Sequence, residues 1–136
     1  MSEEDIETIR KLNRAFNEGP AETERWLAFY HPDAEFHTPP EWPEARVYHG
    51  HEGVTELASA WFGSFDEYRW DAEDFIDAGD CVVALFHHRG RMGTEWVERP
   101  IGAVFYLRDG KVARTIAYFN WDDALRTAGL GGRPPT

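Results

Sequence analysis

The chain has very little cysteine, with a single thiol at Cys81 among its 136 residues. No intramolecular disulfide can therefore form. Cys81 lies within an apolar run of β type, so we expect a small buried apolar side chain. A reactive thiol would need an electropositive environment, which the surrounding sequence does not offer.

Positive charge is also scarce, because Lys and Arg total 14 against 25 Asp and Glu, giving a formal net charge of −11. No basic run offsets this excess, so we expect no nucleic acid partner and no anionic membrane surface. No segment approaches the roughly 20 apolar residues that span a bilayer. The acidic N-terminus lacks the apolar region of a signal peptide, which favours a cytoplasmic protein.

Aromatic residues are abundant, with 6 Trp, 5 Tyr and 9 Phe. Such bulky side chains suit a core that surrounds a pocket, although ordinary core packing explains them equally well. The length predicts one domain over residues 1–128. The glycine- and proline-containing end, residues 129–136, is predicted to be a flexible tail.

Apolar residues at helical spacing predict three helices in the first half of the chain. The first ends near Phe16, and a short second helix starts at Pro20 and reaches Tyr30. The third covers residues 52–65, where the apolar positions form one broad face. A short strand is predicted over residues 34–37, between the second and third helices.

The second half of the chain predicts an antiparallel meander built on turns. Asp109-Gly110-Lys111 separates two apolar runs, as expected of a tight hairpin turn. We expect Pro100 to break or bulge the third run. The four predicted strands cover residues 68–75, 81–89, 94–107 and 112–119. Helices followed by a meander indicate an α+β fold.

The run from Cys81 to Phe86 is apolar on both faces, whereas a strand covered on one face should alternate. Something must therefore cover the second face of the sheet. A twin subunit is the simplest candidate, so we predict a homodimer through the outer sheet face.

Five motifs occur in an order that resembles the SnoaL-like and ketosteroid-isomerase-like branch of the NTF2-like superfamily. They are residues 31–36 (HPDAEF), 48–54 (YHGHEGV), 77–80 (DAGD), 109–112 (DGKV) and 124–130 (ALRTAGL). The resemblance implies an NTF2-like cone, in which three N-terminal helices pack on a curved, mostly antiparallel sheet. It also implies a largely apolar pocket between helices and sheet, but it does not fix an activity.

The acids that the resemblance leads one to expect are missing. The isomerases of this superfamily place an aspartate before a proline at the end of the first strand, where this chain has His37-Thr38-Pro39. Cyclase relatives carry an acid after the last strand, where this chain has Asn120. Steroid isomerase chemistry is therefore not expected, and cyclase chemistry lacks its usual acid.

Two adjacent histidines, His87 and His88, must point to opposite faces of their strand. Parity with Val83 and Leu85 favours His87 as the one facing the pocket, where it could act as a general acid or base. The resemblance places His37 at the pocket mouth, and Tyr118 shares a strand face with Asn120. The catalytic candidates are therefore His87, His37 and Tyr118, although structural roles explain each of them.

The candidate ligand-binding residues are mainly aromatic and are expected to form the pocket wall. They are Trp42, Tyr48, Trp61, Trp96, Phe105 and Asn120. His49-Gly50-His51 could suggest a metal site, but a structural role at a loop-to-helix junction suffices, so we expect no metal and no cofactor.

Three functional hypotheses remain open. In the first, the chain binds a small, mostly apolar ligand and carries out cofactor-free acid–base chemistry on it. In the second, it binds that ligand without catalysis. In the third, it is a dimerisation module whose own aromatic side chains fill the cavity.

Overall fold

The computed structural model describes residues 2–42 and 46–130. Within them lie four α-helices, α1 (Ser2–Phe16), α2 (Thr23–Leu27), α3 (Gly50–Gly63) and α4 (Trp121–Thr127), with a 3-10 turn (Pro20–Glu22) before α2. The strands are β1 (Tyr30–His37), β2 (Val47–His49), β3 (Glu67–Asp77), β4 (Val82–Met92), β5 (Glu95–Arg108) and β6 (Lys111–Tyr118). In the described part of the chain, no helix has the length and hydropathy to cross a membrane.

The six strands form one mixed sheet in the order β2-β1-β6-β5-β4-β3. β1 and β6 run parallel, and the other neighbours are antiparallel. The β5–β6 turn contains Asp109 at φ 55° and Gly110 at φ 79°, as a tight turn requires. The predicted α+β class, with N-terminal helices on a mostly antiparallel sheet, is confirmed.

The predicted second helix extends too far. Tyr30 already belongs to β1, and the preceding carbonyl of Phe29 accepts a 2.8 Å hydrogen bond from the Val112 backbone N–H. The sheet thus captures backbone groups that a longer helix would have used. Strand β2 and helix α4 were not predicted.

Pro100 does not break its strand. It lies within β5 opposite His87, in a pairing with β4 that shows no register shift. The β6 partner of β5 begins opposite Gly102, so β5 has a neighbour on only one side at Pro100. A proline is tolerated where a strand has such a free edge.

The inner face of the sheet carries the main core. Side chains of β4 such as Ala84 and Phe86 pack there with buried residues of α1, α2 and α3. Three helices therefore cover this face, and their apolar stripes form the wall opposite the sheet.

The outer face carries a second, smaller core under α4. Val83, Leu85 and Val104 pack there with Ala124. Gly102 allows this contact, since a Cβ at that position would lie 2.6 Å from the Cβ of Ala124. Helix α4 of the same chain therefore covers part of the outer face of β4. The sequence analysis had assigned this covering role to a twin subunit. Six residues of the predicted tail, 131–136, lie outside the described residues.

Candidate functional site

A small cavity lies between the inner sheet face and helices α1 to α3, with a volume of about 50 Å³. Its lining is almost wholly apolar and rich in aromatic rings. The lining residues are Ile9, Leu12, Asn13, Phe16, Trp26, Tyr30, Phe36, Val54, Leu57, Ala58, Trp61, Trp70, Phe86 and Phe105. None of these side chains carries a charge at neutral pH.

The size of the cavity limits what it can hold without rearrangement. An apolar cavity of about 150 Å³ takes up benzene, whereas one water needs only about 10–15 Å³. The observed 50 Å³ lies between these sizes. A small fragment fits as the wall stands, and a larger ligand requires one wall residue to move.

Trp61 is the wall residue best placed to move, because its side chain is only half-buried and it lies near the C-terminal end of α3. Its ring contacts those of Trp42, Trp70 and His88, with centroid distances of 6.1, 5.5 and 6.4 Å. Trp61 therefore joins the cavity lining to Trp42, which does not itself line the cavity.

Two asparagines of the first helix region hold the cavity wall formed by β3. The side-chain amides of Asn13 and Asn17 donate to the Trp70 carbonyl at 3.0 and 2.6 Å, and Asn17 Oδ1 accepts from the Trp70 N–H at 2.8 Å. These bonds fix the Trp70 backbone, and hence its ring, against the cavity.

A chain of side-chain hydrogen bonds leads from the cavity wall to a histidine. Trp70 Nε1 donates to the Tyr68 hydroxyl at 2.8 Å, and that hydroxyl lies 2.8 Å from His88 Nδ1. Because an indole N–H can only donate, Tyr68 is free to donate its own proton to His88. This direction leaves the His88 proton on Nε2.

His88 is held as a neutral imidazole. Burial, together with the nearby positive charge of Arg99, lowers the pKa of His88 to about 4. Its ring stacks on Phe119 at 6.0 Å between centroids. His88 contacts the Trp61 and Trp70 rings but does not itself line the cavity.

The buried Trp26 Nε1 on the inner face has no hydrogen-bond partner within the described residues, and the buried Thr115 hydroxyl lies beside the Tyr30 phenol. Both side chains are almost fully buried, at 1% and 0% exposure. Leaving such a group unpaired costs about 1–3 kcal/mol. The neighbouring Tyr30 is buried as well, and its burial raises the pKa of the phenol, which therefore stays protonated.

The structure places only two of the six predicted ligand-binding residues, Trp61 and Phe105, in the cavity lining. Trp42 packs behind Trp61, and Tyr48 belongs to the surrounding core beneath the Arg46 guanidinium. Trp96 is 51% exposed on the outer face, so it forms no part of the wall. Its pairing opposite Arg91, beyond the end of β6, explains this exposure.

The predicted inward orientation of His87 is wrong. Val83 and Leu85 share its strand face, and both lie in the outer core. His87 accordingly packs against Trp121 of α4 at 5.1 Å and lies near Glu73 and Glu98, at 3.8 and 3.5 Å. Parity misled because both faces of β4 are apolar.

His37, Tyr118 and Asn120 also lie away from the cavity. His37 pairs opposite the outer-core residue Ile116 and lies 3.0 Å from Glu35. The Tyr118 hydroxyl bonds to Thr127 of α4 at 2.7 Å. Asn120 caps α4, where its Oδ1 accepts from the Asp123 N–H at 2.7 Å.

The sequence analysis missed Trp26, Tyr30 and Trp70 as cavity residues. Trp26 and Tyr30 were treated as parts of one short helix, so their convergence on a pocket was not evident. Trp70 falls on the same strand face as Tyr68, and this alternation was the available signal.

The histidines once considered for a metal do not form a site. His51 Nε2 lies 2.9 Å from the carbonyl oxygen of Tyr30, a structural bond at the start of α3. Across residues 2–42 and 46–130, no group of three or more His, Cys, Asp or Glu side chains is placed to hold a metal ion.

Comparison with solved structures shows the same fold in several proteins. Bal32a, from a soil-derived mobile gene cassette, is 19% identical with a TM-score of 0.78, over 87% of this chain and 90% of its own. TerC, co-crystallized with polyporic acid, is 22% identical with a TM-score of 0.74, over 93% and 98%. A Jannaschia sp. CCS1 protein described as a SnoaL-like polyketide cyclase is 18% identical with a TM-score of 0.74, over 98% and 95%.

These identities establish a shared fold and no more. No curated protein matches the chain in sequence. The model of the SnoaL-like domain family, however, matches residues 9–115, which include the second half of α1, helices α2 and α3, most of the sheet and the whole cavity lining. The chain therefore belongs to the SnoaL-like domain family of the NTF2-like superfamily.

Proposed function

We propose that this chain binds a small, uncharged and mostly apolar molecule in the cavity between the inner sheet face and helices α1 to α3. The observation that carries the proposal is the lining, which is aromatic and aliphatic and has no charged side chain. Apolar walls with a few polar groups are typical of small-molecule sites. TerC, which shares the fold, was solved with polyporic acid, and this supports an organic ligand for such a scaffold.

Filling the cavity tests the proposal. Ala58 is buried in the wall, and Ala60 is exposed on the same helix. Ala58→Val adds carbon atoms to the cavity, whereas Ala60→Val is the matched control. We expect ligand-observed NMR to show benzene and toluene binding to the unsubstituted protein and to Ala60→Val, with the Trp61 ring displaced to make room, and at least tenfold weaker binding to Ala58→Val. Equal behaviour of all three proteins would contradict the proposal.

Native mass spectrometry of the protein purified from its host addresses the natural ligand. We expect a retained organic molecule that is absent from Ala58→Val prepared in the same way. A molecule retained equally by both proteins would bind elsewhere on the chain.

The second candidate function is cofactor-free acid–base chemistry on the bound molecule. The observation that favours it is the Trp70–Tyr68–His88 chain on the inner face, which connects the cavity-lining Trp70 to a histidine held in one tautomer; His88 reaches the bound molecule only when Trp61, whose ring contacts it, moves. In this version His88 takes the role that the sequence suggested for His87. With the retained molecule as substrate, His88→Gln should abolish turnover and leave binding intact; unchanged turnover would leave binding as the function.

The dimerisation hypothesis concerns the outer face, where α4 leaves part of the sheet uncovered. An open groove of about 590 Å³ lies there over β3, β4 and β5, with Trp96 at its edge. Trp96 and Val97 are each about half exposed beside the groove, so a second copy could bury this apolar surface. Sedimentation at micromolar concentration should show a dimer that Trp96→Glu weakens, and a monomer would remove this proposal.

A further inference from the structure

Two successive cross-strand pairs of β4 and β5 place different chemistry on the two faces of the sheet. On the outer face Arg89 lies opposite Glu98, and their side chains form an ion pair at 2.9 Å. On the inner face His88 lies opposite Arg99, and residues paired in this way present their side chains to the same face. Arg99 is exposed, and no carboxylate of residues 2–42 and 46–130 forms an ion pair with it. The inner pair therefore holds a cation that the described chain does not neutralise.

The guanidinium of Arg99 is positioned by an aromatic ring. Its Cζ lies 4.9 Å from the centroid of the Phe119 ring. This contact uses the charge of the guanidinium, and its N–H donors make no hydrogen bond in the parts of the chain that the structure describes. A guanidinium presents these donors as a planar fork that matches a carboxylate. Arg99 is therefore able to donate two parallel hydrogen bonds to one carboxylate.

A second donor lies beside Arg99. The His88 ring stacks on the same Phe119 ring, with 6.0 Å between centroids, and the positive charge of Arg99 helps to lower the pKa of His88. Its Nδ1 is taken up by the Tyr68 hydroxyl, so the proton is on Nε2. The Nε2–H has no hydrogen-bond partner among the described residues, yet it is not one of their fully buried unpartnered atoms, so it keeps accessible surface. An acceptor from outside the chain can therefore reach it.

The surrounding charges and rings limit the class of anion. Glu41 lies close to this end of the sheet, where its carboxylate accepts a 3.2 Å hydrogen bond from the Asn120 amide, and the whole chain carries a net charge of −11. A multiply charged anion such as phosphate is repelled more strongly than a monoanion by these charges. The half-buried rings of Phe119 and Trp61 beside the donors favour a flat apolar body on the ligand.

We infer that Arg99 and His88, flanked by Phe119 and Trp61, form a binding site for a small aromatic carboxylate. The carboxylate accepts hydrogen bonds from the Arg99 guanidinium and from His88 Nε2, and the aromatic ring of the ligand lies against the two flanking side chains. Arg99, His88 and Phe119 do not line the cavity. The site is therefore separate from the one in the proposed function and goes beyond it.

Two probes of nearly equal shape test the charge of the ligand. Benzoate and benzamide are both flat, but only benzoate is an anion. We expect ligand-observed NMR at pH 7 to show benzoate binding about fivefold more tightly, the preference that one partly exposed ion pair provides. Acetate, which has the charge without the ring, should bind more weakly than benzoate. In a ¹⁵N spectrum, the His88 Nε2 resonance should move on addition of benzoate.

A matched pair of arginine variants assigns the effect. Arg114 is also exposed, and its guanidinium lies 4.4 Å from the centroid of the outer-face Tyr106 ring, so Arg99→Gln and Arg114→Gln remove the same charge from similar surroundings. Arg99→Gln should bring the affinities for benzoate and benzamide together and leave the His88 resonance unmoved by benzoate. Arg114→Gln should preserve both effects. Arg99→Lys, which keeps the charge without the planar fork, should recover only part of the preference.

The outcomes that would overturn this inference differ from those that would overturn the proposed function. Equal affinities for benzoate and benzamide, equal losses in Arg99→Gln and Arg114→Gln, or no binding of benzoate would remove the carboxylate site and leave benzene binding in the cavity untouched. Ala58→Val fills the cavity and should change the benzoate affinity by less than about twofold. A larger loss in Ala58→Val would place benzoate in the cavity and would also overturn a separate site.

Discussion

The two faces of the sheet differ in what covers them and in the charge that they carry. The inner face is covered by three helices and encloses an apolar cavity, and the buried Nε1 of the lining residue Trp26 has no hydrogen-bond partner among the described residues. The outer face is covered by α4 alone, and its open part carries ion pairs such as Arg89–Glu98 and Arg89–Asp71, both at 2.9 Å. The inner face is therefore the apolar side of the sheet, covered by helices, and the open part of the outer face is its charged side.

Adjacent histidines show this difference within one strand. His88 lies among Trp61, Trp70 and Phe119 on the inner face, with a pKa lowered to about 4. His87 lies on the outer face between Glu73 and Glu98. The neutral imidazole therefore lies on the face covered by helices, and the histidine among carboxylates lies on the outer face.

The largest effect is expected from Phe86→Ala on the inner face. Phe86 is 1% exposed, lines the cavity and packs edge-on against Trp70 at 5.0 Å. Removing a buried phenylalanine costs about 3–5 kcal/mol of unfolding free energy. Chemical denaturation measures this loss. Trp96→Ala, at an exposed outer position, is the control and should change stability by less than about 0.5 kcal/mol.

The reverse order of these two costs would contradict the assignment of the faces. A small loss for Phe86→Ala would mean that the wall collapses into the existing cavity. Binding of benzene should then weaken, whereas a persistent enlarged cavity should strengthen it.

The next effect is a pH dependence caused by His88. Its folded pKa of about 4 lies below the ordinary value of 6.5, so the fold favours the neutral ring. The contribution of His88 to the stability of the folded state is fully present above pH 6.5. It is lost as the pH falls toward 4, because the unfolded chain takes up the proton first. Between pH 7 and pH 4, the free energy of unfolding should fall by up to about 3 kcal/mol more in the unsubstituted protein than in His88→Gln.

Denaturation curves at several pH values measure that difference, in which the shared carboxylates cancel. An NMR titration of the His88 ring gives the pKa directly. A midpoint near 6.5, or equal pH slopes for the two proteins, would place His88 in an open environment.

The sequence predicted the fold far better than the site, and β4 explains why. Helical spacing and turn glycines are local signals, so α1, α3 and the meander could be predicted. Which face of β4 meets the helices depends on distant packing, and an apolar strand on both faces carries no parity signal. The same limit hid Trp26 and Tyr30, since their convergence requires the backbone to leave the helix at Phe29 and join β6.

A moderate loss of stability is expected when a glycine of either sheet face is replaced by alanine. A Cβ at Gly102 would lie 2.6 Å from Ala124 Cβ and 3.0 Å from the Asn120 carbonyl, while one at Gly90 would meet only the Phe65 ring, at 2.3 Å. Backbone yields less readily than a ring. Gly102→Ala should therefore cost about 2 kcal/mol and Gly90→Ala about 1 kcal/mol.

Thermal or chemical denaturation of both variants tests this order. Loss of α4 packing in Gly102→Ala should also raise the exposure of Trp121, read as a red shift of its fluorescence. A larger cost at Gly90 would show that the Phe65 ring is the more rigid neighbour.

The smallest effect concerns Asn120, which the sequence suggested as a ligand-binding residue and the structure shows as the cap of α4. Its Oδ1 accepts from the Asp123 N–H at 2.7 Å, and its amide donates to Glu41 and Asp123 at 3.2 and 2.9 Å. Losing a cap costs about 1 kcal/mol. Asn120→Ala should therefore lower stability by that amount and leave probe binding to the cavity unchanged, whereas Asn120→Ser, which can still cap, should recover most of the stability. Weaker binding by Asn120→Ala without a loss of stability would mean that Asn120 contacts the ligand rather than capping α4. The end of β6 would then belong to the inner face of the sheet.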